Sequence, residues 1–166
     1  MDEFSAPQDR FVQTVTVLTF MLFAILLVVF ASADNTAGLA SIAAIGLPMF
    51  ILCYLFVPRE YAVNESEVII RRRIGAVRIP FSLIRSIRQG SSSCSFRSVR
   101  PFGIGGIYGY FGRFYSQELG RHHVYATDLQ KTVVIEADKT YVISPDDPQQ
   151  FVQAVKTRLE AGGPSR

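Results

Sequence analysis

Tryptophan is absent from this 166-residue sequence, and cysteine occurs only twice. The first absence removes a common anchor of membrane–water interfaces and leaves Tyr54 and Tyr61 as the aromatic residues placed to serve there. The second excludes a disulfide framework, because Cys53 falls in an apolar run and Cys94 in the polar part that follows it. Charge is missing over long stretches too. Residues 37–57 carry none, and residues 11–31 are interrupted only by Gln13 and a few threonines. With no Asp, Glu, Lys, Arg or His inside either run, nothing marks an ion path, a proton relay or a transporter site.

Each run has the roughly 20 residues that a helix needs to cross a hydrocarbon layer about 30 Å thick. Residues 32–36 between them suit a tight turn between two antiparallel spans. The organisation expected is therefore an N-terminal segment (1–10), a helical hairpin with spans 11–31 and 37–57, and one domain over 58–166. Every lysine and arginine except Arg10 comes after the second run, whereas the turn holds Asp34 and no cation. The positive-inside rule then places the turn outside and both termini in the cytoplasm, as in a multi-pass protein of the inner membrane. Ala31-Ser32-Ala33 matches a signal-peptidase site, but the apolar run exceeds the roughly 7–15 residues of a leader core and no basic cluster precedes it. The reading adopted keeps it as a span.

Small residues collect in the first half of the second run: Ala37, Gly38, Ala40, Ser41, Ala43, Ala44 and Gly46. They permit close helix approach, either within the hairpin or against another membrane protein. Pro48 predicts a kink or a loosened turn.

Beyond Tyr61 the pattern changes to short strands. Residues 67–73 lead into a turn at Gly75, and Val77-Arg78-Ile79 alternates like a half-buried strand. Residues 81–89 fit a helical turn or a bent strand. Residues 90–120 open with Ser91-Ser92-Ser93 and then interleave glycine with aromatics from Phe102 to Tyr115, a composition of tight bends and close backbone approach. Three more strands are expected over 124–127, 131–136 and 139–144. The chain then reads as an amphipathic helix, with Asp147 as N-cap, Pro148 at the first helical position and Phe151, Val155 and Leu159 spaced by four. Gly162-Gly163-Pro164 stops it.

The order of these features resembles the bacterial PH-domain (pleckstrin-homology-like) family of membrane-anchored proteins. The resemblance runs over 58–160 and rests on Tyr61-Ala62-Val63, the strand 68–73, Ile79-Pro80-Phe81 with Ile84, the glycine-aromatic segment, Tyr125-Ala126-Thr127-Asp128, and Ile143-Ser144-Pro145-Asp146-Asp147-Pro148 with Phe151. It implies a mainly-β (α+β) PH-like domain: seven strands in two bent antiparallel sheets, or a barrel, with a C-terminal helix capping one end. It supplies no mechanism, since that fold serves lipid-binding, peptide-binding and structural roles.

Between Arg71 and Arg121 ten arginines stand against one acid, Glu118. Arg71, Arg72, Arg73 and Arg78 are the candidates for contact with anionic lipid headgroups or a partner, each juxtamembrane cation being worth about 1 kcal/mol near such a surface. A solvated basic face that only reinforces topology explains the same charges. Gly103-Ile104-Gly105-Gly106 lacks the strand-before and helix-after context of a phosphate loop. Instead, Tyr108, Tyr110, Phe111 and Phe114 are expected to pack the core or rest at the membrane interface. His122 and His123 face opposite sides of any strand and have no clustered partners for a metal. Asp128 with a histidine and a serine lacks any motif of a catalytic triad. The reading is a non-catalytic binding or scaffolding module without cofactor or metal. Its expected partners are membrane lipids or a membrane protein, with no nucleic acid and no small-molecule substrate; the alternative is an accessory subunit of a larger membrane complex.

Topology gives the first testable expectation. A reporter fused after Arg166 should be active only if it is a cytoplasmic reporter, and one inserted at Asp34 only if it works outside; the reverse pattern would remove the leaflet on which the arginine reading rests.

Overall fold

The computed structural model describes residues 2–90 and 99–161. Ser91, Ser92, Ser93, Cys94, Arg97, Arg166 and the stop Gly162-Gly163-Pro164 lie outside the described residues.

Both apolar runs are helices: α1 (Arg10–Ser32) and α2 (Thr36–Phe56). Asp9 starts the first by accepting the Val12 N–H on its carboxylate (2.6 Å), and Asn35 starts the second by accepting the Gly38 N–H (2.9 Å). α2 continues through Pro48. The two pair as a hairpin in which Phe50 stacks on Phe20 (4.4 Å) and meets Phe23 edge-on (5.1 Å). A Cβ at Gly38 would strike the Phe30 ring and one at Gly46 the Phe23 ring, so these two glycines are spent on contact within the hairpin. Ala37, Ala40, Ser41 and Ala44 face outward. The rest of the helix surface is apolar and bare: Leu18, Leu22, Val28, Ile45 and Ile51 are each at least 55% exposed. These are not the core helices of a globular domain.

The remaining chain forms two sheets. The smaller has the order β1 (Asp2–Ser5), β2 (Pro58–Val63), β3 (Glu67–Arg72), β4 (Ala76–Pro80), all antiparallel. A single 3-10 turn, Phe81–Leu83, follows. The larger comprises β5 (Ser86–Gln89), β6 (Val99–Gly105), β7 (Tyr110–Ser116), β8 (Gly120–Ala126), β9 (Val133–Glu136) and β10 (Thr140–Ile143), in the order β5-β9-β10-β8-β7-β6. Residues 81–89 thus use both options left open by their pattern, the helical turn first and the strand after it. The described residues hold ten strands where the resemblance implied seven. One pair is parallel: β10 returns from the β9 hairpin between β9 and β8, and so runs alongside β8 in the same direction. The last helix, α3 (Pro148–Ala161), begins at Asp147, whose carboxylate accepts the Gln149 and Gln150 N–H groups.

The main core lies between the sheets and α3. Tyr61, Val68, Ile70, Ile79, Val133, Ile135, Ile143, Phe151 and Val155 are its buried members, with Phe4 brought in by β1. Residues 2–5 are therefore an edge strand of the domain, not a free tail. Their charged side chains hid this: Ser5 bonds Asp146, and Asp2 pairs with Arg158 of α3 (2.7 Å). A second cluster on the other face of the large sheet joins Tyr110, Phe114, Val124, Val134 and Val142 to Val12, in the first turns of α1. Tyr61 crosses the main core. It is fully buried, and its hydroxyl donates to the Tyr125 carbonyl (2.7 Å) and accepts the Ser144 N–H (3.3 Å). Tyr61 is thus a core residue and not the interfacial anchor its position suggested.

Phe151 is fully buried and meets Phe4 edge-on at 5.1 Å and Tyr61 at 6.5 Å. Phe151→Ala should cost about 3–5 kcal/mol, out of the 5–15 kcal/mol typical of a domain. Denaturant unfolding of the purified variant checks this, and an unchanged midpoint would mean that α3 does not close the core.

Candidate functional site: the arginine turn at the end of the second helix

The four arginines singled out by sequence go to two different places. Arg71, Ile69 and Glu67 point to the outer face of β3, and the register puts Arg78 on that face opposite Ile69. Arg71 bridges Glu3 of β1 and Glu60 of β2, at 3.0 Å each, and Arg78 reaches Glu67 at 3.3 Å. These pairs lie on the surface, where each is worth about 1 kcal/mol or less. Their consequence is electrostatic: both cations are already compensated.

Arg72 and Arg73 are different. Arg72 shares the inner side with Ile70 at the very end of β3, where its guanidinium lies over the rings of Phe56 (5.4 Å) and Tyr125 (5.8 Å). Its Nε is buried and has no hydrogen-bond partner. Arg73 has left the strand and sits 4.0 Å above the Tyr54 ring. Gly75, with φ +73°, closes the turn in a conformation that a side chain would strain. The turn also caps α2: the Ile74 N–H donates to the Leu55 carbonyl (3.2 Å), one of the last carbonyls of that helix. Two cations thus lie beside the negative end of the helix dipole, and Ile74 stands 54% exposed next to them.

The glycine-aromatic turn approaches the same junction from the other side. Gly105 ends β6 and Tyr110 begins β7, so the Gly-rich stretch is a hairpin with no helix after it, as expected. The Thr16 hydroxyl of α1 accepts the Tyr108 N–H (2.9 Å), and the Tyr108 carbonyl accepts from Gln8 Nε2 (3.0 Å). Tyr108 holds a left-handed backbone (φ 60°) in this grip. Its ring meets Tyr54 at 5.4 Å and Phe20 at 6.0 Å. Gly109 is required by proximity: a Cβ there would come within 2.9 Å of Val57 and 3.0 Å of the Ala126 carbonyl. Tyr54, Phe56 and Tyr108 therefore form an aromatic belt under Arg72 and Arg73. Tyr108 thus packs against both helices, while Tyr110 and Phe114 pack in the second core cluster.

Other arginines of the basic run, Arg85, Arg113 and Arg121, lie at the opposite end of the large sheet. His122 is buried, with Nδ1 2.9 Å from the Gly120 carbonyl, while His123 faces the other way, near Tyr125 and Tyr141. Asp128 accepts the Gln130 N–H in its own turn (2.7 Å), so it is not joined to either histidine. Among the described residues no group of His, Cys, Asp and Glu is arranged to hold a metal ion.

A family model described as bacterial PH domain matches residues 59–159. No curated protein and no solved structure matches the chain.

Burial holds the pKa of His122 below its ordinary value, and burial with Lys139 and Arg113 nearby does the same to His123. The unfolded chain takes up these protons first, so the stability present above pH about 6.5 is lost as pH falls through that value toward the lower folded pKa. Unfolding midpoints should therefore drop between pH about 7.5 and 5.5, above the carboxylate range, and the drop should be smaller in His122→Phe. A variant with the same pH slope as the parent would refute a role for His122.

Proposed function

The chain belongs to the bacterial PH-domain family, and on that footing we propose that it is a membrane-anchored, non-catalytic module whose Arg72–Arg73 turn binds anionic lipid headgroups at the cytoplasmic face. PH domains generally serve as binding or scaffolding modules, and the fold fits that class. The observation that carries the finer reading is the cap of the Ile74 N–H on the Leu55 carbonyl, which sets an exposed Ile74 and two cations that have no ion pair among the described residues at the end of an apolar helix.

Two further features support it. Each large apolar side chain left bare on α1 and α2 is worth about 1.5–3 kcal/mol on removal from water, so lipid is the natural surrounding of the hairpin. Tyrosine and arginine at the helix end are the residue types that settle at headgroup level. The reading takes Arg72 and Arg73, half of the residues named from sequence, as the contact pair, because Arg71 and Arg78 are engaged by neighbouring glutamates. A second reading, an accessory subunit of a larger membrane complex, is favoured by the outward row Ala37, Ala40, Ser41 and Ala44, which the hairpin leaves uncovered. Disulfide trapping of Ala44→Cys to a neighbouring membrane protein would support that reading.

The full chain is the object to test, because a fragment beginning at residue 59 lacks β1, Phe4 and Val12. In detergent it should take up short-chain phosphatidylglycerol in preference to phosphatidylcholine, with the preference declining as salt rises. Arg72→Gln with Arg73→Gln should weaken uptake by roughly tenfold to thirtyfold, at about 1 kcal/mol per cation. Arg71→Gln with Arg78→Gln should leave it nearly unchanged. Equal uptake of both lipids by the parent protein would end the headgroup reading.

A further inference from the structure

A second concentration of cations lies at the other end of the large sheet, in a cleft of about 810 Å³. Arg85, Arg113, Arg121 and Lys139 line it around the two histidines. The register explains the gathering. Arg113 stands opposite His123 across β7 and β8, and Tyr115 opposite Arg121, so Arg113 and Arg121 share one face. Thr140 lies beside His122, which brings Lys139 in the β9–β10 turn to the same edge. Arg85 arrives from the corner before β5, where its N–H donates to the Glu136 carbonyl (2.7 Å).

Two acids also line the cleft, and both are engaged. Glu136 accepts from the Ser86 hydroxyl (2.8 Å) and lies 3.9 Å from Arg88, while Asp138 accepts from the Tyr141 hydroxyl (3.5 Å). Among the described residues none of the four cations is in an ion pair. Counting both acids, the lining keeps a formal excess of two positive charges.

We propose that this cleft is a binding site for a small, water-soluble phosphorylated compound, with its phosphate held by Arg113, Arg121 and Lys139. Guanidinium forks match phosphate oxygens two at a time, which a lysine-only cluster would not do. A phosphate monoester carries about −1.5 to −2 charges near pH 7, which balances the excess in the lining. The volume falls within the roughly 300–1,000 Å³ of small-molecule sites. Both histidines stay neutral near pH 7, because burial lowers their pKa values and, for His123, Lys139 and Arg113 lower it further while Asp138 opposes them. Position selects a soluble ligand over a headgroup of the anchoring membrane. Tyr125 lies under Arg72, at the proposed headgroup level, and Arg121 of the cleft lies about 13 Å further along β8 at about 3.3 Å per residue.

The full chain in nanodiscs of zwitterionic lipid, titrated with inorganic pyrophosphate by calorimetry, should show saturable binding that weakens with salt. Arg113→Gln with Arg121→Gln should weaken it by roughly tenfold or more, and Arg72→Gln with Arg73→Gln should leave it unchanged, which separates this site from the helix-end turn. An unaltered unfolding midpoint establishes that the glutamine variants fold. Lys139→Gln, in an exposed turn, gives an independent loss of several-fold should the double variant not fold. Lack of saturable binding, or parental affinity in folded Arg113→Gln/Arg121→Gln, overturns the site. Binding to added phosphatidylglycerol vesicles that Arg113→Gln with Arg121→Gln weakens and Arg72→Gln with Arg73→Gln does not, without binding to pyrophosphate, would assign the cleft to a headgroup and overturn the soluble ligand.

Discussion

The junction between the hairpin and the domain is the constraint on which the rest depends. Three hydrogen bonds hold it, two between backbone groups and one to a side chain: the Asp9 N–H to the Thr127 carbonyl, the Ile74 N–H to the Leu55 carbonyl, and the Tyr108 N–H to the Thr16 hydroxyl. Each joins one of the two helices to a different part of the domain. A domain tethered by a flexible linker would sample many heights above a membrane surface, whereas this one is clamped at both helix ends. Thr16 lies six residues inside α1, about 9 Å along its axis, so the Tyr108 turn descends alongside the helices and does not merely rest on their tips. The clamp gives Arg72 and Arg73 a defined level relative to the apolar surface, which a basic run in a loop would not have.

The same economy of contacts holds the two sheets together. Tyr61 spans the interior from β2 to β8 and β10 through the Tyr125 carbonyl and Ser144, and Ser144 Oγ in turn accepts the Thr127 N–H (2.7 Å) and the Asp128 N–H (3.2 Å). Burial pushes the Tyr61 pKa up to about 12, so the phenol remains a neutral donor. Thr127 also takes part in the helix junction, so the polar node in the core and the clamp on α1 share one residue. Loss of the Tyr61 hydroxyl would leave buried partners unsatisfied, a cost of about 1–3 kcal/mol for each group.

Much of this was legible in the sequence, for identifiable reasons. The apolar helices follow from length and the absence of charge, and α3 from its cap and four-residue spacing, because both signals are local. The turn after Arg72 follows from three adjacent arginines and Gly75. What was not legible depends on distant pairing. Strand β1 is four residues with two acids, and it is a strand only because residues 58–63 present an open edge to it. The parallel placement of β10 beside β8 is a matter of topology that no periodicity carries. The arginines count alike in sequence, yet Arg71 and Arg78 meet glutamates on neighbouring strands, Arg72 and Arg73 meet a helix end, and Arg113 and Arg121 meet a turn near residue 139.

That partition has an electrostatic consequence. With Arg71 and Arg78 compensated on the outer face of the small sheet, two groups of cations outside ion pairs stand out among the described residues: the turn on α2 and the cleft beyond β8. Tyr125, which lies under Arg72, and Arg121, which lines the cleft, are four residues apart on β8, about 13 Å, which exceeds the Debye length of roughly 8 Å at physiological ionic strength. Exposed charges at that spacing are largely screened from one another. Occupancy at one end therefore does not alter affinity at the other through direct charge, and any coupling between them has to pass through the rigid strands β7 and β8. On the two proposals made above, a domain clamped in this way would hold one partner at the membrane level while presenting a second site to solution.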